Sequence, residues 1–153
     1  MTADGAFFLT AAQSTPPTIA PVNRSTLSSL TSQMWSFNRV PGNGPTDFAY
    51  TITSLSSKSN LINSGASVTL GGQGSTWSLV PVGSLYAIVN VTASKQRVVL
   101  GRKISITPPT TVSLYSADDI AADVKGEIGY LWDLTREGTI LASVSLRFLC
   151  SSD

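Results

Sequence analysis

Residues 126–150 read Gly126-Glu-Ile-Gly-Tyr130-Leu-Trp-Asp-Leu-Thr135, then Arg136-Glu-Gly138, then Thr139-Ile-Leu-Ala-Ser-Val-Ser-Leu-Arg-Phe-Leu-Cys150. In the first arm Ile128, Tyr130, Trp132 and Leu134 fall on every second residue. In the second arm Ile140, Ala142, Val144, Leu146, Phe148 and Cys150 do the same. Side chains of a strand alternate between its faces, so each arm presents one apolar face. Ser143, Ser145 and Arg147 occupy the other face of the second arm. A short connection containing Gly138 suits a tight hairpin turn or a bulge. The stretch predicts a closing β-hairpin with Trp132 in the core. It is a scaffold signal and carries no catalytic pattern.

Moving outward, similar short alternations recur. A first strand is expected within residues 2–12. Phe48, Tyr50 and Ile52 alternate, as do Leu85, Ala87, Val89 and Val91. Residues 98–106 place Leu100, Ile104 and Ile106 in phase, and Val112 to Tyr115 reads as a further strand. Val68 and Leu70, then Gly71-Gly-Gln73-Gly74, then Trp77 and Leu79 read as a hairpin with a glycine loop. A polar segment runs from Ser54 to Gly65. Residues 25–34 have apolar spacings of three and four, a weak helical turn. Residues 117–125 read as a short helical turn with Asp118 or Asp119 near its start. No internal repeat is visible. The expectation is an all-β fold of eight to ten short strands with at most short helical turns. Its form is an antiparallel β-sandwich, jelly-roll-like. With 153 residues it is one domain over 1–153. Prolines within 13–24 suggest an extended arm or hinge.

Charge is sparse, at 12%, and nearly balanced at +1. Nucleic-acid binding usually needs a concentrated basic patch, so no direct nucleic-acid partner is expected. Roughly a quarter of the residues are Ser or Thr, well above ordinary usage. Hydroxyls therefore supply most of the polar surface. No run reaches the ~18 apolar residues of a spanning helix, so no membrane insertion is expected. Ala6-Phe7-Phe8-Leu9 is too short for a signal h-region and lacks basic residues before it.

The chain has no histidine and one cysteine, Cys150. That removes the Ser-His-Asp triad, the Cys-His dyad, imidazole metal sites and any intrachain disulfide. Cys150 reads as a small core hydrophobe. Gly71 to Gly74 lacks the lysine a P-loop requires. Carboxylates gather once, at Asp118, Asp119, Asp123 and Glu127, with Asp133 beyond. Calcium takes several such oxygens, so these four are the candidate metal ligands, without EF-hand spacing. No cofactor is required, and calcium is the one candidate. A carboxylate-only hydrolase would need two acids about 5–9 Å apart, and nothing selects a pair. No enzymatic activity is expected. The sequons Asn23-Arg-Ser25 and Asn90-Val-Thr92 matter only in a secretory pathway. Candidate recognition residues are the aromatics Trp35 and Trp77, with Asn43 in the Pro41–Pro45 loop and Gln73 in the glycine loop.

Asp123-Val-Lys-Gly126-Glu127-Ile-Gly-Tyr130-Leu-Trp132-Asp-Leu134 resembles the closing strand in coat proteins of small icosahedral RNA viruses. There a Gly-Glu or Gly-Asp pair precedes an alternating strand. The likeness covers about a dozen residues. A further strand follows where shell domains often end, and the basic RNA-binding arm is missing. Both departures suit the protruding domain of a nodavirus-like or tombusvirus-like capsid protein. That resemblance implies a domain on the virion surface, a homo-oligomer (dimer or trimer), that attaches to a host cell-surface receptor or glycan. The alternative is a microbial or phage carbohydrate-binding or adhesin β-sandwich module, marked by an exposed tryptophan platform.

Overall fold

A computed structural model describes residues 7–11, 16–21, 31–41, 49–65, 67–91, 95–107, 110–137 and 143–148. The strands are β1 (Phe7–Thr10), β2 (Thr18–Pro21), β3 (Met34–Val40), β4 (Ala49–Ser54), β5 (Asn60–Asn63), β6 (Val68–Gly71) and β7 (Trp77–Val82). They continue as β8 (Leu85–Val91), β9 (Arg97–Lys103), β10 (Thr110–Thr111), β11 (Ser113–Ser116), β12 (Ile128–Gly129), β13 (Leu131–Glu137) and β14 (Ser143–Phe148). A short helix, α1 (Ala117–Ala122), lies between β11 and β12. The chain is all-β and every pairing is antiparallel. No described helix is long and apolar enough to cross a membrane.

Following the pairings reveals a closed circuit. β3 pairs with β4, β4 with β7, β7 with β8, β8 with β13, β13 with β14, and β14 returns to β3. Three further hairpins flank this ring: β1–β2, β5–β6 and β9–β11. Each is joined to the second strand of a ring hairpin: β14 to β1, β4 to β5, β8 to β9. The two layers of the sandwich-like fold are thus a ring of six strands and a cap of three hairpins. The chain repeats one four-strand unit three times, a trefoil arrangement.

The register confirms the equivalence. Trp35 pairs with Ser54 in its own hairpin, and Trp77 pairs with Asn90 in its own. Across the junctions Tyr50 pairs with Trp77, Tyr86 with Trp132, and Val144 with Trp35. Each tryptophan is fully buried. Each indole nitrogen donates to the carbonyl of a buried leucine on the cap hairpin of its own unit. The bonds are Trp35 Nε1 to Leu9 O at 2.8 Å, Trp77 Nε1 to Leu61 O at 3.2 Å, and Trp132 Nε1 to Leu100 O at 3.0 Å. A buried N–H without an acceptor is costly, so these bonds lock each cap hairpin to its ring strand. Below the leucines lie Pro17, Val68 and Val112, all buried, at the start of the second cap strands. There the hairpins meet: Ser67 bridges Ser113, and Val112 N donates to Pro17 O at 3.2 Å. Phe37, Leu79 and Leu134, each two residues after a core tryptophan, pack against the core from the same strand face.

Several sequence expectations are corrected. The first arm of the closing hairpin is two strands, broken at Tyr130, because β12 pairs with β9 before β13 joins the ring. Trp132 and Leu134 keep the expected phase. The glycine stretch 71–74 connects two hairpins instead of turning one. β6 pairs back onto β5, which lies in the polar segment where no strand is expected and buries Leu61 completely. Ile104 and Ile106 lie beyond the end of β9, and the position in phase with Leu100 is taken by Arg102, which is buried. Of the proline-rich 13–24 stretch, Pro16–Pro21 is described, and it is no free arm. Pro17 is buried and β2 pairs with both β1 and β10. Its prolines precede or end the strand, where a missing N–H costs little. Residues 25–30 of the expected helical turn lie outside the described residues. Thr31 and Ser32 are helical, and Met34 already begins β3.

Candidate functional site

The ring strands alternate, so residues next to Trp35, Ile52 and Leu61 face away from the core. On β3, β4 and β5 these are Ser36, Asn38, Thr51, Thr53 and Asn60. They form one connected chain of hydrogen bonds. Ser36 Oγ donates to Asn38 Oδ1 at 3.0 Å, and Asn38 Nδ2 donates to Thr53 Oγ1 at 3.2 Å. Thr53 Oγ1 donates to Asn60 Oδ1 at 2.7 Å, and Asn60 Nδ2 donates to Gly72 O at 2.7 Å. The last bond ties the 71–74 turn onto the sheet. Gly74 suits this approach, because a Cβ there would stand 2.8 Å from Asn60 Cβ.

The three-fold repeat supplies an internal control. Trp77 stands where Trp35 does, so Asn38 corresponds to Val80. Asn90 stands where Ser54 does, so Thr53 corresponds to Val89. Leu100 stands where Leu61 does, so Asn60 corresponds to Val99. The fold accepts valine at each of these three places, twice in the second unit and once in the third. Amides and hydroxyls are therefore not demanded there by the architecture. Each has donor or acceptor capacity left after the bonds above. The array carries no charge, and its side chains are already ordered, which lowers the entropy cost of binding a polar partner.

The sequence-predicted residues fall differently. Trp35 and Trp77 are fully buried with their N–H groups committed to carbonyls, so neither is a surface platform. Large aromatics with a polar handle suited both roles, and the cap carbonyls decided it. Trp132 is buried in the same way. Gln73 is exposed on the turn that Asn60 holds. Asn43 and the Pro41–Pro45 loop beyond Pro41 lie outside the described residues, as do Asn23 and Cys150. Asn90 is buried, accepting from Asn63 Nδ2 and donating to Thr76 O, both at 2.7 Å.

The acidic residues serve backbone geometry. Ser116 caps α1 and accepts from Asp119 N at 3.1 Å, while Asp119 Oδ2 accepts from Ser116 N at 2.7 Å. This reciprocal box holds the Asp119 carboxyl below the usual range, through the backbone bond first and the Ser116 hydroxyl second. Asp123 Oδ1 accepts from Glu127 N at 2.9 Å and Oδ2 from Ile128 N at 2.7 Å. Asp118 and Glu127 are exposed. Among the described residues no three Asp, Glu, His or Cys side chains converge as metal ligands would. Tyr115 is pushed up chiefly by its burial.

Sequence reasoning missed the polar array. Its only trace was the pair Asn60 and Asn63 bracketing Leu-Ile in a segment rich in serine. Comparisons with protein-family models, curated proteins and solved structures find no match to the chain.

Proposed function

We propose that this chain is a non-catalytic attachment domain that self-associates and recognises a receptor or glycan on a host cell. The setting suggested by residues 123–134 is the protruding domain of a small non-enveloped RNA virus capsid, on the virion surface. The observation that carries recognition without turnover is the ordered, uncharged face from Ser36 to Gly72. Such a face binds through matched hydrogen bonds and offers neither a nucleophile with a base nor a paired acid and base. The same face favours a second reading, a microbial or phage carbohydrate-binding or adhesin module. Sugars present alternating donors and acceptors that amides and hydroxyls can meet, and here they would do so without a tryptophan platform.

The test pairs two measurements on the whole chain. Light scattering gives its solution mass. An immobilised panel of neutral and sialylated glycans is probed with the wild type and with Asn38→Ala combined with Asn60→Ala. A dimer or trimer supports the attachment reading. A monomer that binds a neutral glycan, and loses it in the double variant, moves the assignment to the sugar-binding module. A monomer that binds nothing on the panel defeats both.

A further inference from the structure

The third unit has the longest crossing of the three. From Leu9 to Trp35 the first unit takes 26 residues, from Leu61 to Trp77 the second takes 16, and from Leu100 to Trp132 the third takes 32. The extra length includes α1 and the turn that follows it. α1 buries none of its residues. Burial does not hold this segment in place, yet it is closely pinned. The Ser116–Asp119 box starts the helix. Asp123 then accepts from Glu127 N and Ile128 N, and its own carbonyl accepts from Gly126 N at 3.1 Å. Gly126 takes φ +65°, a conformation that favours glycine.

A second turn, residues 104–107, lies against the first. Ile104 N donates to Glu127 O at 2.7 Å, and the buried Arg102 donates through Nη1 to Ile106 O at 3.4 Å. Each pinned turn presents a branched aliphatic side chain to solvent: Val124 is 94% exposed and Ile106 49%. Ala121 and Ala122 beside them are exposed too. An exposed aliphatic held on a pinned turn has little freedom left to lose on contact. The surrounding exposed charges carry both signs, Lys103 and Lys125 against Asp118 and Glu127. A rim of one sign would suit a partner of the other. A rim of both signs is self-complementary across a two-fold axis, where each lysine can face an acid of the other copy. With a net charge of +1, two copies repel little.

We propose that the Ile106–Val124 tip is an isologous interface between two copies of this chain. The proposal rests on the self-association reading and names where that association occurs. The experiment is sedimentation equilibrium of the full chain over a concentration series, comparing wild type with Val124→Asp, Lys125→Glu and Val82→Asp. Val82 is also exposed, at 45%, on the β7–β8 turn, and serves as the control. Val124 is almost entirely in solvent, so its substitution leaves the thermal midpoint in place and reports on association alone. The expected result is a dimer weakened at least ten-fold by Val124→Asp and also by Lys125→Glu, and untouched by Val82→Asp. A dimer indifferent to both tip variants overturns this interface and leaves self-association standing. A chain that stays monomeric throughout overturns both.

Discussion

Replacing the three tryptophans one at a time by phenylalanine tests the three-fold framework directly. Each substitution keeps an aromatic in the core and removes the indole N–H. The carbonyls of Leu9 and Leu100 then lose the indole donor in a buried setting, whereas Leu61 O keeps the bond from Ser75 N at 3.2 Å. An unsatisfied buried group costs about 1–3 kcal/mol. Phenylalanine is smaller by roughly 40 Å³, which at about 24 cal/mol/Å³ adds about 1 kcal/mol. Trp35→Phe and Trp132→Phe should therefore each lose about 2–4 kcal/mol and agree within about a factor of two, while Trp77→Phe, whose carbonyl keeps a donor, should lose mainly the packing share of about 1 kcal/mol or somewhat more. Urea unfolding with an unchanged slope measures this as a shift in midpoint. In a chain of this size each kcal/mol also lowers the thermal midpoint by about 2–4 °C. If Trp35→Phe or Trp132→Phe loses less than about 1 kcal/mol while the other loses the full amount, that tryptophan is not an equivalent anchor. Trp132→Ala, which empties the site, should cost about 3–5 kcal/mol.

Gly101→Ala should destabilise by about 1–3 kcal/mol, since a Cβ there would lie 2.7 Å from the Gly129 carbonyl and 3.2 Å from the Tyr115 ring; a neutral result in urea unfolding would mean that β12 yields freely. The Asp119 carboxyl is lowered in the folded state, so its contribution to α1 is present above the ordinary carboxylate range near pH 4 and is lost as pH falls through its folded value. Amide exchange at Asp119 and Ile120 should accelerate as pH is lowered through that window, relative to Asp119→Asn. Added calcium should leave the thermal midpoint unchanged, because Asp119 and Asp123 already spend carboxylate oxygens on backbone N–H groups. A midpoint rising with calcium concentration, as selective binding to the folded state demands, would contradict that.

Local patterns in the sequence revealed strands and left their partners unread. Ile52, Leu100 and Trp132 announced themselves by alternation, and all three are fully buried. The alternation of Val68 and Leu70 before Gly71, and of Trp77 and Leu79 after Gly74, pointed to a hairpin that does not form. Its true partner, β5, is four residues long and begins and ends in asparagine. Hydrophobic periodicity weighs such a strand as a loop, although Leu61 sits at the centre of its unit. The strand Ala87 to Asn90 is buried on both faces, so the single apolar phase expected there understated it. α1 was legible because acidic residues near a helix start are a local signal, whereas the Ser116 cap that completes it was not read.

The repeat itself escaped because its signature is a bond, not a spacing. A tryptophan reaches its leucine carbonyl over 26, 16 and 32 residues in the three units. Insertions of different length erase any fixed period, while the packed triplets of Trp, Leu and small apolar residues keep the geometry. This also separates what the fold needs from what it merely tolerates. Where the units agree, as at Leu9, Leu61 and Leu100, a shared core demand explains the residue. Where the first unit carries Asn38 and Thr53 and the second Asn60, against valines at the corresponding places, or where the third carries α1 with no buried side chain, stability supplies no reason for the choice. Contact with something outside the chain, as proposed above, would supply one, and the two features lie on different units, so under that proposal a ligand and a second copy would not compete for one surface.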